Sequence, residues 1–363
     1  MDAACRKRAH CIEGELKYRS KQEPTEMNID IFRGRRLAAA IALLILTCGA
    51  PAPARCASAN LWLSFSGGGG VSGGSGIETY TSKQLKKSGM PTPIALSTFA
   101  TVTGLAFDAS HNLWAVANED EVVEFTAAQL KNLKKDPSPT PVVVITSTAT
   151  FGQLIGCNFD HQGNLWVANP GNHAIYELSK AQLAAGSANV TSPVVLTSSA
   201  LNGGLFVTFD TAGNAWMDSW VDNTIVEFSA SQLASSGSKS PNVMLSDDGS
   251  GTSLSNPQDL AFDKNGDLWV ASLAADTVVE YAPDQLTSSG APTPTVKLNS
   301  TGFDGPSGLA FNSKGNLVVM NNFGGTIFEL TAKQLKASGM PVPKVAVTGS
   351  EDGEFQIIFG PAS

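Results

Sequence analysis

The feature that most constrains the fold is a repeat of about fifty residues that fills the chain after Asn60. Its clearest marker is a Trp that follows Leu or Ala, at Trp62, Trp114, Trp166, Trp216 and Trp269, with Val318 in the sixth place. These positions are 52, 52, 50, 53 and 49 residues apart. A Gln-Leu pair follows each marker, at Gln84, Gln129, Gln182, Gln232, Gln285 and Gln334. Six copies at this period indicate a propeller or a solenoid.

Each copy predicts four short strands. In the fifth copy, Leu-Ala-Phe-Asp alternates in polarity, and a turn at residues 264–266 reverses the chain into the strand that carries Trp269. Residues 277–281 predict a third strand, and the Pro-rich residues 291–298 predict a fourth. Because Pro lacks a backbone N–H, it is tolerated mainly at sheet edges. We therefore expect the fourth strand to be outermost, with its prolines protecting the edge.

A short capped helical turn is predicted between the third and fourth strands. In five copies Ser or Thr precedes the Gln by three residues, as in Thr126-x-x-Gln129, which is a capping-box pattern. The fifth copy has Ala282-Pro283 instead. The recurring Gln is therefore predicted to be structural. The helical turns are expected to end at left-handed glycines, namely Gly89, Gly186, Gly237, Gly290 and Gly339.

Six units of four strands predict an all-β, six-bladed β-propeller over residues 60–363. The first unit starts directly at its Trp-bearing strand and lacks an innermost strand. Residues 353–360, near the C-terminus, have the pattern of an innermost strand such as residues 308–312. We therefore predict that the C-terminal strand joins blade one and closes the ring.

The residues before the repeat predict export. Residues 1–26 are strongly charged without an apolar period, which predicts a disordered segment or one that precedes the true start. Residues 27–59 have the pattern of a signal peptide, with arginines, an apolar run and small residues up to Ala59. The run is too short for a membrane span. A secreted or periplasmic protein is expected, and a lipoprotein anchored through Cys48 is the alternative.

The charge of the repeat region argues against nucleic acid as a partner. Ten of the 24 Lys and Arg and six of the 32 Asp and Glu precede Asn60, which leaves 14 against 26 and a net charge of −12. All the arginines precede Asn60. Such a surface is a poor match for phosphate. Cys157 is the one cysteine after Asn60, so it is predicted to be a packing residue without a disulfide partner.

The unit GLAFD..GNLWVA......TVVEF resembles the six-bladed group that includes NHL repeats, the gluconolactonase family and the streptogramin B lyases. The resemblance covers residues 60–363. Gluconolactonase-like enzymes hold a divalent metal at the starts of innermost strands, and among those positions here only Asp259 is a carboxylate. We therefore expect neither a metal nor a cofactor, because a hard cation needs several oxygen ligands. The lyases need a His near the channel, and His173 is the candidate that lies on the entrance side.

The loops at the channel entrance remain as the predicted site, since they differ from blade to blade. Trp220 is the one Trp outside the repeat register. The predicted ligand-binding residues are Trp220, His173, Asn169, Asn118, Asn321, Asn322, Phe323 and Asp259. A Trp face beside amides suits a sugar or another uncharged ring. The expectation is a monomeric binding or scaffold module for a small molecule, glycan or protein. The alternative is a diverged lactone hydrolase or lyase.

Overall fold

Six sheets form the repeat region in the computed structural model of the chain, four of them with four strands and two with five. The structure describes residues 59–65, 75–96, 99–147, 151–190, 194–323, 325–348 and 354–360, and the predicted leader up to residue 58 lies outside this part. Each sheet contains one antiparallel four-stranded blade, and the fifth strands, Ala188–Asn189 and Gly237–Ser238, come from the next blade and pair in parallel. Together the blades make the predicted six-bladed propeller. Within the described residues, no helix is long and apolar enough to span a bilayer.

The four strand positions of a blade recur with similar lengths. The innermost strands are Glu354–Gly360, Val102–Phe107, Cys157–Phe159, Val207–Phe209, Pro257–Phe262 and Pro306–Phe311. The second strands are Asn60–Phe65, Leu113–Ala117, Leu165–Asn169, Ala215–Ser219, Leu268–Ser272 and Leu317–Asn321. The third strands are Gly76–Tyr80, Glu121–Phe125, Ala174–Leu178, Thr224–Phe228, Thr277–Tyr281 and Thr326–Leu330. The outer strands are Ile94–Leu96, Val143–Thr146, Val194–Thr197, Val243–Ser246, Val296–Asn299 and Val345–Thr348.

The predicted ring closure by the C-terminal strand is confirmed. Glu354–Gly360 pairs antiparallel with Asn60–Phe65 as the innermost strand of blade one, with Trp62 opposite Ile358. Ile357 is 1% exposed in the core that blades six and one share. Both ends of the described chain therefore contribute strands to one blade.

The contact between two neighbouring blades, here called a seam, is built on the repeat Trp. At five seams the indole meets a Phe from the innermost strand of the next blade, in the pairs Trp62–Phe107, Trp114–Phe159, Trp166–Phe209, Trp216–Phe262 and Trp269–Phe311. The ring centroids lie 5.7 to 6.4 Å apart, and four of the pairs are edge-on. This spacing is in the range that aromatic pairs prefer. All five indoles are nearly fully buried.

In blades two, three and four the hairpin turn supports the Trp. Asp160 Oδ1 accepts from the backbone N–H groups of Gln162 and Asn164, both at 2.9 Å, which stabilises the turn. Its Oδ2 accepts from the Trp166 indole N–H at 3.0 Å. Blades two and four repeat this arrangement. A buried indole donor is therefore satisfied by the same carboxylate that shapes the turn.

Helical turns with the predicted caps lie between third and outer strands: α-helices Ala127–Leu130, Lys180–Ala184 and Ala230–Leu233, and 3-10 helices Gln84–Lys86, Pro283–Leu286 and Gln334–Lys336. At Thr126–Gln129 the hydroxyl accepts from the Gln129 N–H, and the Gln side chain accepts from the Thr126 N–H at 2.8 Å. The Gln129 amide also donates to the Thr140 carbonyl at 2.7 Å. The structural role predicted for the repeat Gln is confirmed.

The predicted glycine C-caps are mostly wrong. Only Gly186 has a C-cap-like φ, at 84°, whereas Gly89, Gly237 and Gly339 have φ of 146°, 134° and 156°. Gly290 has no positive φ. The physical reason is that the chain leaves each helical turn in an extended form and pairs with the outer strand of the preceding blade, as Gly339 does with Leu298.

The predicted protection of the outer edges by Pro is also wrong. The prolines of residues 291–294 lie before the outer strand, which begins at Val296. A segment of the next blade covers this edge: Ser338 Oγ accepts from the Lys297 N–H at 3.0 Å, and Asn299 donates to the Gly339 carbonyl at 2.9 Å. We call this Ser-Gly contact the clasp. Equivalent serines bind the outer strands of four other blades, namely Ser187, Ser236, Ser289 and Ser88.

Candidate functional site

The loops after the second strands and the segments that lead into the innermost strands lie on one side of the ring, here called the entrance face. A left-handed residue recurs in four of these loops, at Glu119, His173, Asn223 and Asp276, with φ between 49° and 66°. Short 3-10 helices, Pro170–Asn172 and Leu273–Ala275, precede two of them. The loops therefore share a backbone frame despite their different sequences.

These left-handed residues connect each loop to the next blade. The Asn223 side-chain oxygen accepts from the Asn256 N–H at 2.7 Å, and Asp276 accepts from the Gly305 N–H at 2.8 Å. The Glu119 carbonyl accepts from the Leu154 N–H at 2.9 Å. His173 Nδ1 lies 2.9 Å from the Leu201 carbonyl, so the imidazole takes the same bracing position. This contact gives His173 a structural role in the frame.

The predicted asparagines also brace loops. Asn169 is fully buried, and its side chain contacts the Tyr176 hydroxyl at 3.3 Å and accepts from Asn172. Asn118 accepts from the Ala100 N–H at 3.0 Å and donates to Glu121. Asn321, 1% exposed, donates to the Gly302 carbonyl at 2.7 Å. These amides therefore brace the loops of the entrance face, and the Asn321 side-chain oxygen is buried without a hydrogen-bond partner among the described residues.

Two predicted residues expose an apolar ring on the entrance face. Trp220 is 37% exposed and Phe323 is 47% exposed. Each ring packs on a glycine of left-handed φ. A Cβ built on Gly203 would lie 2.3 Å from the Trp220 ring, and a Cβ built on Gly305 would lie 2.7 Å from the Phe323 ring. The backbone of each glycine thus forms a platform under a ring. Asn322, the remaining predicted amide, donates its backbone N–H to the Gly305 carbonyl at 2.7 Å.

Asp259 lies buried on the innermost strand of blade five. Its Oδ1 accepts from the Leu260 N–H and its Oδ2 from the Leu309 N–H of blade six, both at 2.8 Å. Burial raises the pKa of Asp259 to about 7, although these two N–H donors act to lower it. The side chain therefore joins two blades near the channel.

Asp218 is a buried carboxylate that is not among the predicted ligand-binding residues. It accepts from the Phe206 N–H at 2.8 Å and from the Leu205 N–H at 3.2 Å, where the chain enters the short innermost strand of blade four. Burial raises the pKa of Asp218 well above its usual range, and the Asp259 carboxylate acts in the same direction. One signal was available, since Asp218 is the only carboxylate at its position in the six second strands, where the other copies read Ser64, Val116, Ala168, Ala271 and Met320.

Other blades also join their innermost strands through side chains. Gln356 accepts from the Leu105 N–H at 2.6 Å, and Thr103 donates to the Ile155 carbonyl at 3.0 Å. Asp259 is thus one member of a set of inter-blade contacts around the channel. In the described part of the chain, no group of three or more His, Cys, Asp or Glu is placed to hold a metal ion.

Comparison with known proteins supports the fold. No family model and no curated protein matches the sequence. Among solved structures, a chain of the nidogen–laminin complex is similar at 14% identity and a TM-score of 0.58, over 84% of this chain and 98% of the other. A protein of unknown function from Bacteroides caccae is similar at 14% identity and a TM-score of 0.54, over 83% and 98%. An inactive variant of virginiamycin B lyase from Staphylococcus aureus with quinupristin is similar at 12% identity and a TM-score of 0.50, over 75% and 82%.

At these identities the likeness shows the fold alone. The protein is a six-bladed β-propeller with four-stranded blades, closed by its C-terminal strand. Its structural neighbours include the streptogramin B lyase type that the repeat unit resembles. The expected resemblance is confirmed at this level.

The buried carboxyls predict a stability that falls as pH rises. A folded-state pKa of about 7 for Asp259, against 3.8 in its ordinary state, means that the native protein holds a proton that the unfolded chain releases. The stabilisation from this bound proton is therefore fully present below about pH 4 and is lost between about pH 4 and pH 7, at up to about 1.4 kcal/mol per pH unit. Asp218 acts in the same direction. Urea unfolding at several pH values should show this slope.

The slope should become shallower in Asp259→Asn, because the amide does not titrate. Asp284→Asn, at an exposed carboxyl of a helical turn, is the matched control and should keep the slope of the parent protein. Equal slopes in the parent protein and Asp259→Asn would contradict the assignment.

Proposed function

We propose that the protein is an exported binding module whose entrance face holds an uncharged ring, such as a sugar, against Trp220. The observation that carries the proposal is the exposed indole on its glycine platform. Trp220 is 37% exposed, whereas the five repeat tryptophans are at most 3% exposed. Packing between blades accounts for those five but not for Trp220.

The indole of Trp220 is held in place without a ligand. Gly203 has a φ of 79° and lies against the ring, so a larger residue there would displace the indole. Val221 donates its N–H to the Asn202 carbonyl at 3.3 Å, and the Asn202 side chain donates to Asp222 at 2.8 Å. Two loops are thus fixed to each other beside the ring. Such pre-organisation favours binding, because little conformational freedom is lost.

The surroundings of the indole combine apolar and polar groups. Val221 beside it is 47% exposed. Asn202 and Asp222 supply an amide and a carboxylate next to the same ring. An aromatic face with a few placed polar groups is typical of sites for sugars and other neutral rings. Phe323 on Gly305 offers a second platform of the same kind in blade six.

A diverged lactone hydrolase or lyase is the second candidate, and one observation favours it. Asp218 and Asp259 are buried near each other and both have raised pKa values, which is a feature of acid and base groups in enzymes. Their oxygens, however, accept backbone N–H groups at 2.8 to 3.2 Å. This geometry supports a structural role, so we favour the binding module.

The binding proposal predicts a response of Trp220 to neutral sugars. Intrinsic fluorescence should report on it selectively, because the other five tryptophans are buried. We expect at least one member of a panel of neutral oligosaccharides, with cellotriose and chitotriose as first probes, to give a saturable change. Trp220→Ala should weaken that binding about fivefold or more, which corresponds to about 1 kcal/mol or more, as for an aromatic hot spot. Because this variant lacks the reporting indole, its affinity is measured by calorimetry.

Met244→Ala is the matched control, since Met244 is an exposed apolar residue of an outer strand, 42% exposed. It should bind as the parent protein does. No saturable response to any member of the panel, or equal affinity in Trp220→Ala, would contradict the proposal. Turnover of an added lactone that Asp259→Asn abolishes would instead support the second candidate.

Export is proposed from the leader pattern in residues 27–59. Expression in a bacterial host should yield a mature protein whose N-terminus, by mass spectrometry, lies at Asn60 or within a few residues of it. A lipid-modified Cys48 would show the anchored form instead. An unprocessed chain that stays in the cytoplasm would contradict export.

A further inference from the structure

The seam between blades six and one contains a cavity of about 260 Å³, here called the seam cavity. Val318 lines it at the position where the other five blades carry the repeat Trp. Phe359 lines it as well. Phe359 pairs with Leu61 as Phe107 pairs with Leu113, so it occupies the place of the Phe that meets an indole at the other seams. The aromatic partner is therefore present at this seam, and the indole is missing.

The polar groups around the missing indole have changed together with it. The turn residue that is Asp160 in blade three is Asn312 in blade six. Asn312 donates its side-chain amide to Glu329 at 3.1 Å, and Asn316 donates to the same oxygen at 2.5 Å. Asn312 and Glu329 both line the cavity. Glu329 is thus the residue that would accept a hydrogen bond from the N–H or O–H of a ring bound in the place of the missing indole.

The charges around the cavity are mainly positive. Lys86, Lys314 and Lys344 line it and are exposed, and Glu329 is the one acidic residue among the described residues that line it. The propeller as a whole carries 14 basic against 26 acidic side chains and is net negative, whereas the three lysines make the charge around this cavity positive. Ammonium groups next to an apolar cavity attract an anionic group on an apolar body.

We propose that the seam cavity binds a planar aromatic acid of one or two rings. The ring takes the place of the missing indole against Phe359, a ring N–H or O–H donates to Glu329, and the acid group faces the lysines. The volume suits a ligand of one or two rings, because pockets for larger, drug-sized ligands start at about 300 Å³ and this cavity is slightly smaller. The cavity adjoins the hairpin turn at residues 312–316, on the side opposite the entrance face, so it is independent of Trp220.

The test is calorimetric titration of the full chain with three probes of one ring system and different charge: indole-3-acetate, 3-methylindole and tryptamine. We expect saturable binding of indole-3-acetate, about tenfold weaker binding of the neutral 3-methylindole, and still weaker binding of the cationic tryptamine. No binding of indole-3-acetate, or an affinity that does not depend on charge, would overturn the proposal.

Filling the cavity should abolish binding. Val318→Trp restores the repeat residue, and Val318→Trp with Asn312→Asp also restores the acceptor that the turns of blades two to four provide. Both variants should lose indole-3-acetate binding and unfold at a higher temperature than the parent protein. The matched control, Met244→Ala on an outer strand, should bind indole-3-acetate as the parent does. Unchanged affinity in a folded Val318→Trp variant would overturn the proposal.

A surface variant tests the charge requirement without repacking the core. Lys86→Gln, Lys314→Gln and Lys344→Gln combined should weaken indole-3-acetate about tenfold and leave 3-methylindole unchanged. Equal loss of both probes, or of neither, would overturn the role of the lysines.

Ala59 also lines the cavity. If a chain that begins at Asn60 binds indole-3-acetate more than about tenfold tighter than the full chain, the occupant is a segment of the chain itself, which would overturn the proposal.

Discussion

The edge of an indole against a phenyl ring is the contact on which the ring of blades depends. A blade is a small sheet whose two faces must both be buried, and it can bury them only against its two neighbours. The repeat Trp lies in that space and is nearly fully buried in five blades. An aromatic pair of this kind contributes about 0.5–1.5 kcal/mol beyond the area that it buries. Repeated around the ring, the contact fixes both the spacing of the blades and the period of the sequence.

The seam between blades six and one is held in a different way. Val318 replaces the indole there, and a cavity remains beside Phe359. Two strands from distant parts of the chain pair within blade one, through six of the seven residues of Glu354–Gly360. Gln356 then connects this strand to blade two through the Leu105 N–H. Backbone pairing thus closes the ring near the place where side-chain packing is weakest.

Much of this architecture could be predicted because the repeat shows the same local solution six times. The Trp spacing predicted the blades, and the Thr-x-x-Gln pattern predicted the capped turns, since both depend on residues close in sequence. The clasp was missed because Ser338 and Lys297 lie 41 residues apart and belong to different blades. Asp218 and Val318 were departures from the repeat, and only the packing of neighbouring blades shows what each departure does. The entrance-face residues could be predicted because they differ from blade to blade. The sequence did not show which of them are amides that brace loops and which are exposed rings.

Because the aromatic pair holds the other five seams, the seam between blades six and one should open most easily. The clasp provides equivalent amides for the measurement: Thr348 donates to Gly89 at that seam, as Asn299 does to Gly339 and Ser246 to Gly290 at seams with the pair. Native-state hydrogen exchange should give Thr348 an opening free energy about 1 kcal/mol below those of Asn299 and Ser246. Protection of Thr348 that equals or exceeds that of the other two amides would contradict the account.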